Sequence, residues 1–337
     1  MKYLGSKRRL VPEIVRLARE LLPTGTVVDL FSGTARVGHA LKAAGYRVLA
    51  NDHLHYAETI ARCYVQADRE DHAEIAARLI RELNALPGAP GWFTETYCRR
   101  SRYLQPKNGA RVDAIREAIA GMDLDPELEA ILLVSLMEAA DRVDSTTGVQ
   151  MAYLKEWAPR SHNDLELRLP ELLPRAAAGK GRAYRFEARE AARRLSGDLA
   201  YLDPPYNQHS YLGNYHLWES LVLWDKPETY GVAHKRVDCR ERKSDFNRRS
   251  AFLAAWRETV AAVDARHLIV SFSDEGFLSR EEMVEMLASR GEVRVLTHDS
   301  DRYVGARIGI HNPRGEKVGS VGRLRNREFL FVVRSRG

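Results

Sequence analysis

The apolar positions divide the chain into three stretches. Near the N-terminus, Leu10, Ile14, Leu17 and Leu21 recur at helical spacing and predict an amphipathic helix. The run Thr26-Val27-Val28-Asp29-Leu30-Phe31 reads as a buried strand, followed by the turn Ser32-Gly33-Thr34 and a helix from Ala35 to Ala44. A second strand, Tyr46 to Ala50, completes the opening unit of a nucleotide-binding α/β sheet, in which glycine lets the backbone approach a ligand closely. From Tyr64 to Pro174 this rhythm stops, and apolar residues at three and four spacing predict helices over His72–Leu86, Val112–Gly121 and Pro126–Val143. It returns with strands at Ala183–Glu187 and Leu199–Leu202, a helix ending near Val263, a strand at Leu268–Ser273 and a helix ending near Arg290. Strands at Val293–Thr297 and Glu328–Val333 close the chain, with Arg302–Arg327 between them as a long hairpin carrying six arginines and one lysine.

This is an α/β pattern interrupted by a mainly helical insert, with expected boundaries at 1–63, 64–174 and 175–337. At 337 residues and 45% hydrophobic content the chain can bury a large core. No apolar stretch approaches membrane-spanning length and no signal-peptide core follows Met1, so a soluble cytoplasmic protein is expected. Cys63, Cys98 and Cys239 are odd in number and far apart, which suggests neither a disulfide framework nor a structural zinc site. No His/Cys/Glu cluster in the sequence offers another metal site. The net charge of +6 is compatible with a polyanionic partner without demanding one.

The chemistry concentrates at Asp203-Pro204-Pro205-Tyr206, delivered by the apolar run Leu199-Ala200-Tyr201-Leu202. A strand ending in Asp puts a carboxylate at the sheet edge where open α/β sheets hold ligands. The prolines stiffen the backbone and leave the Asp203 and Pro204 carbonyls free to accept hydrogen bonds. A planar heterocycle could stack on Tyr206 and donate the two N–H bonds of an amino group to the Asp203 side chain and the Pro204 carbonyl. Upstream, Gly33 and Gly38 have phosphate-loop spacing, but His39-Ala40 stands where Lys and Ser or Thr are needed, and there is no G-x-G-x-x-G. ATPase and dinucleotide readings therefore fail. Asp52, about twenty residues after the glycine turn, occupies a position suited to binding ribose hydroxyls.

Asp-Pro-Pro-Tyr resembles the catalytic motif of amino-methyltransferases that use S-adenosylmethionine, and its leading Asp is similar to that of DNA N6-adenine enzymes. Tyr3-x-Gly5-x-Lys7, Asp29-x-Phe31-x-Gly33, the strand-end Asp52, a helical insert and Asp-Pro-Pro-Tyr follow in the order of the Dam-like class of adenine methyltransferases. The resemblance implies a Rossmann-like seven-stranded methyltransferase sheet with an inserted, mainly helical target-recognition domain. It implies that Tyr3, Gly5, Ser6, Lys7, Asp29, Phe31, Ser32, Gly33, Thr34, Asp52, Glu187, Ala188 and Asp203 contact S-adenosylmethionine. Asp203, Pro204 and Tyr206 would hold a flipped-out adenine of duplex DNA, with Tyr206, Tyr211, Asn214 and Tyr215 walling its pocket.

Cations interleaved with aromatics at Arg99, Arg100, Arg102 and Tyr103 suit phosphates and bases. Gln150, Tyr153 and Lys155, in a polar loop of the insert, are further expected contacts to substrate. Seven cations among the fifteen residues 235–249 predict a solvated loop able to clamp the DNA backbone. The resemblance also admits a cognate restriction endonuclease as partner, a monomer or weak dimer, and no fused nuclease domain. RNA adenine methylation and a catalytically inactive DNA-binding relative stay open, whereas Asp203 counts against N4-cytosine chemistry, whose motif more often begins with Ser.

Overall fold

A computed structural model describes residues 2, 3, 5, 7–301, 310, 311, 317–319 and 325–335. Seven strands form one sheet: β1 (Thr26–Asp29), β2 (Arg47–Asn51), β3 (Arg182–Tyr184), β4 (Ser196–Leu202), β5 (Asp264–Ser273), β6 (Glu292–Asp301) and β7 (Arg325–Arg334). Their spatial order is β3-β2-β1-β4-β5-β7-β6. The first five run parallel, and β7 pairs antiparallel with both β5 and β6. Chain order reverses between β1 and β4, the place where such sheets open a crevice at their carboxyl edge.

The period-two alternation of each strand sends neighbours to opposite faces. Val27, Leu199, Tyr201, Ile269, Leu330 and Val332 enter one hydrophobic cluster, and Val28, Ala200, Leu202, Leu268, Val270 and Phe331 enter the other. The first face also buries Ile14 and Leu17 of the amphipathic helix Val11–Leu21 together with the insert's Phe93, Tyr103, Ile131 and Leu133. The insert thus shares its core with the sheet. Its helices run Arg69–Ala85, Pro106–Ala120 and Pro126–Arg142, the first beginning three and the second six residues ahead of expectation. Asp125 caps the last of them by accepting the Glu127 and Leu128 N–H groups. The opposite face is covered by helices Ala188–Arg194, Arg249–Ala262 and Arg280–Leu287.

Both β6 and β7 extend further than their apolar cores predicted. Of the connection between them, Ile310–His311 pairs antiparallel with Lys317–Gly319, and the other residues of the expected arginine-rich hairpin at 302–309, 312–316 and 320–324 lie outside the described residues. No helix among the described residues is long and apolar enough to cross a membrane.

Candidate active site

Three adjacent strands bring three carboxylates to the carboxyl edge of the sheet. Asp29 ends β1, Asp52 follows β2 and Asp203 follows β4. The register pairs Asp29 with Tyr201, which sets Asp203 just beyond the level of Asp29. All three line one cleft, together with Tyr3, Gly5, Lys7, Phe31, Ser32, Gly33, Thr34, Arg36, His53, Pro205 and Tyr211. Gly33 adopts φ +51 in the turn after β1, and its N–H donates to Asp52 Oδ2 at 3.0 Å. The Leu54 N–H donates to Asp52 Oδ1 at 3.0 Å. Asp29 is fully buried; the Gly38 backbone N–H faces it without forming a well-aligned hydrogen bond.

Burial, reinforced by Asp203 and Asp52, pushes the Asp29 carboxyl up to about 8. Burial likewise raises Asp52, against the pull of His53 and the Leu54 and Gly33 amides. Asp203 is pushed up to about 6 by burial, with Lys7 opposing and Glu328 adding to the rise. Three acidic side chains in one cleft, with a single ammonium beside Asp203 and backbone amides on Asp52, favour a ligand carrying positive charge and hydrogen-bond donors.

Lys7 lies in a short 3-10 turn before the first helix. Its Nζ is 3.3 Å from Asp203 Oδ1 and 3.0 Å from Glu328 Oε2, and its side chain is 6% exposed. Burial alone would lower the Lys7 ammonium, but Asp203 and Glu328 more than offset it and hold it well above its ordinary value. Lys7 therefore serves the motif carboxylate directly, rather than only a cofactor beside it.

Tyr3 is set in place by its neighbour: the Lys2 N–H donates to Asp141 Oδ2 and the Lys2 ammonium to Asp144 Oδ1, at the end of the helix Pro126–Arg142. Its ring stacks on Tyr211 at 5.3 Å and on Tyr215 at 4.5 Å, and its hydroxyl shares a hydrogen bond with that of Tyr56. Gly5, at φ +71, passes close beside the Tyr211 hydroxyl, where a Cβ would stand 3.0 Å away. Tyr206 meets Phe272 edge-on and has the Lys7 ammonium 5.7 Å from its ring centre.

A family model for D12 class N6 adenine-specific DNA methyltransferases matches residues 3–286. The chain belongs to this family. It is 32% identical over 310 residues to the type II methyltransferase M.FokI of Planomicrobium okeanokoites, covering 86% of this chain and 47% of that protein. The modification methylase StsI of Streptococcus sanguinis is 30% identical over 303 residues, covering 85% and 46%. The type II methyltransferase M.NlaIII of Neisseria lactamica is 29% identical over 315 residues, covering 90% and 92%. The chain thus spans about half the length of the first two relatives and nearly all of the third. Methyltransferases of this kind in general take their methyl group from S-adenosylmethionine.

With the D12 family established, the other expected residues sort by position. The cleft continues into a second hollow through shared Phe31, Asp52, His53 and Pro205. Glu187 and Ala188 line this part, joined by Phe186 and by Ser244, Asp245 and Phe246. Glu187 also caps the helix Ala188–Arg194, its Oε2 accepting the Arg189 N–H. Asn51 holds the floor: its amide donates to the Leu30 and Phe186 carbonyls and its Oδ1 accepts the Phe186 N–H. Ser6 lies outside the described residues. Pro204 is buried, and Pro205 rather than Pro204 faces the cleft.

Several expectations are corrected. Asn214 and Tyr215 are 2% and 1% exposed, and the Tyr3 ring stacks over Tyr215. Gln150 is buried as well; its carbonyl accepts from His216 Nε2 and the Tyr103 hydroxyl, and its side-chain oxygen accepts the Leu217 N–H. Tyr153 packs against the Tyr103 ring. Three of the seven cations of residues 235–249 are ion-paired and a fourth, Arg240, lies over the Tyr230 ring, so the stretch is tied down rather than loose, although Arg240, Lys243, Arg248 and Arg249 are exposed. Arg236 is buried between Asp225 and Asp238, Arg242 reaches Glu219 and Asp238, and Arg248 pairs with Asp245. The opposite charges that tie this stretch down come from elsewhere in the chain as well as from within it, and it walls the second hollow.

Of the four expected cationic contacts, Arg102 and Lys155 are brought together: Arg102 donates to the Lys155 carbonyl and stacks on Trp157 at 4.7 Å. Arg99 and Arg100 are exposed and turn toward Glu95. The fold also assembles His72, Asp125 and Glu127 within ligand distance of one another, which the sequence did not suggest. Lys180 Nζ is 2.9 Å from Glu127 Oε2, however, a cation already standing where a metal would.

Glu328, Phe186, His53 and Pro205 were missed. The one signal for Glu328 is a carboxylate opening the apolar run Phe329-Leu330-Phe331-Val332-Val333.

Proposed function

We propose that the protein is a site-specific methyltransferase acting on the N6 amino group of an adenine flipped out of duplex DNA. The observation that carries this reading is Asp203, held by Lys7 at the carboxyl edge of β4, beside a cleft whose buried Asp29 faces no cation and makes no well-aligned hydrogen bond among the described residues. The fit to S-adenosylmethionine rests on that donor set. Asp29 suits the cationic methionine end, Asp52 the ribose hydroxyls, and Phe31, Phe186, Glu187 and Ala188 the adenine end. When bound, S-adenosylmethionine supplies an electrophilic methyl group on a sulfonium.

The residues of the chain do the rest by position. The Asp203 carboxylate and the Pro204 carbonyl accept the two N–H bonds of the target amino group, which draws its lone pair out of conjugation with the ring. Tyr206 offers a face for stacking, with Tyr211 beside it. Flipping costs a few kcal/mol, offset by stacking and hydrogen bonds in the pocket. Holding the amino nitrogen in line supplies most of the acceleration, since the leaving group needs no further activation. Arg102 and Lys155 lie together on the exposed surface and suit the DNA backbone.

The M.FokI and M.NlaIII relatives carry the name of type II methyltransferases. By analogy, the protein modifies one recognition sequence in the cytoplasm, as a monomer or weak dimer alongside a restriction endonuclease of the same specificity. The test is incubation with methyl-tritiated S-adenosylmethionine and either mixed-sequence duplex DNA or total RNA, followed by digestion to nucleosides. Labelled N6-methyladenosine from RNA alone, or labelled cytosine, overturns the substrate; labelled N6-methyldeoxyadenosine from DNA supports it.

A further inference from the structure

Three residues distant in sequence meet at the motif: Lys7, Asp203 and Glu328. Glu328 opposes Ser273 in the β5–β7 register and comes in beside the carboxyl end of β4 from the far side of β5. Its carboxylate is 3.0 Å from Lys7 Nζ, closer than Asp203 at 3.3 Å. All three side chains are largely shielded, with Glu328 15% and Asp203 18% exposed, so solvent screens their interaction weakly.

An ammonium turned wholly to Asp203 would hold it ionised but would aim more of its three N–H bonds at the oxygens that the target amino group needs. Divided between two carboxylates, the same ammonium keeps Asp203 ionised while leaving its accepting capacity free. We propose that Glu328 is a positioning residue for methyl transfer: by sharing Lys7 with Asp203 it keeps the Asp203 carboxylate available to the amino group of the substrate. This rests on the methyltransferase reading above. Glu328 does not touch the substrate; it acts through Lys7.

The other groups that bear on Asp203 are Asp29 from β1, Tyr201 from β4, and Tyr206 and Tyr211 after the motif, with Asp274 beyond β5 acting on Tyr206. Glu328→Gln leaves these in place and removes one charge. With Lys7 then committed to Asp203, the acid limb of the rate profile moves to lower pH by about half a unit or more, and the plateau falls about ten- to a hundredfold. Lys7→Met moves the limb the other way.

The measurement is the pH dependence of single-turnover labelling of duplex DNA by the full chain, alongside the dissociation constant for S-adenosylmethionine. A lowered acid limb and plateau with unchanged cofactor binding support the proposal. A Glu328→Gln profile that superimposes on the wild type, or a loss of rate with no movement of the limb, overturns it. Should Glu328→Gln not fold, Glu328→Asp retains the charge at a greater distance, and an unmoved limb and unchanged plateau there overturn it equally. Absence of any labelled adenine with wild-type protein defeats the methyltransferase reading itself, so the two failures are distinct.

Discussion

Buried carboxylates occur in two regions of this molecule and are treated in opposite ways. In the cleft, Asp29, Asp52 and Asp203 are all raised, the first without a well-aligned hydrogen bond among the described residues. In the scaffold beneath, burial is answered by donors. Glu219 would be raised by burial, but His55, the Tyr56 amide and Arg242 pull it down to about 2. Asp68 is lowered in the same way by Lys42 and Arg175, and Glu127 by Lys180, Gln66 and His72. The scaffold carboxylates are lowered by partners within the protein, whereas in the cleft the amides on Asp52 and the Lys7 ammonium beside Asp203 do not offset burial, which is how a perturbed group marks a functional site.

The sharpest way to break this contrast is at the motif. Asp203→Ala removes the acceptor for the target amino group, and labelling of duplex DNA falls by about a thousandfold or more while S-adenosylmethionine still binds. Retention of more than about a tenth of the activity would place the acceptor elsewhere.

In the scaffold the loss is one of stability. Asp68→Ala leaves the fully buried Lys42 without the carboxylate 2.8 Å from its Nζ, and urea unfolding registers a loss of about 3–5 kcal/mol. A loss below about 1 kcal/mol would mean that this pair is no more supported than the cleft.

Asp29→Asn tests the cleft from the opposite side. Between its ordinary value of 3.8 and about 8, Asp29 is protonated in the folded protein and ionised in the unfolded chain. The folded state binds more protons there, so the contribution of Asp29 to stability falls as pH rises through that window. The substitution removes this fall: unfolding at pH 9 and at pH 5 differs less in the variant than in the wild type. Cofactor binding weakens about ten- to a hundredfold, the scale of removing one charged hydrogen bond. For Glu219 the sign reverses, since its stability is present above 4.5 and lost as pH falls toward about 2.

The smallest expected effect is at the surface. Arg99→Ala with Arg100→Ala changes stability by no more than about 0.5 kcal/mol, because both arginines pair with the exposed Glu95. If these arginines reach phosphates, the slope of DNA affinity against salt falls by about one for each arginine that neutralised a phosphate. An unchanged slope assigns the binding of the DNA backbone to other cations, with Arg102 and Lys155 next.

The alternation of Val27 with Val28, or Leu330 with Phe331, was legible in the chain because strand geometry is local and turns neighbours to opposite faces. The same holds for Asp29, Asp52 and Asp203, each placed by the end of its own strand. What the chain could not display is which distant groups share one volume. Tyr215 resembles a pocket residue in sequence but is covered by Tyr3, which reaches it from the other end of the protein. Arg236 and Arg242 look unpaired until Asp225 and Glu219 are folded against them. Glu328 stands 321 residues from Lys7 and meets it because β7 inserts antiparallel between β5 and β6. Sequence determined which carboxylates reach the sheet edge; tertiary structure decided which of them are neutralised, because burial and long-range Coulomb partners depend on how the whole chain packs.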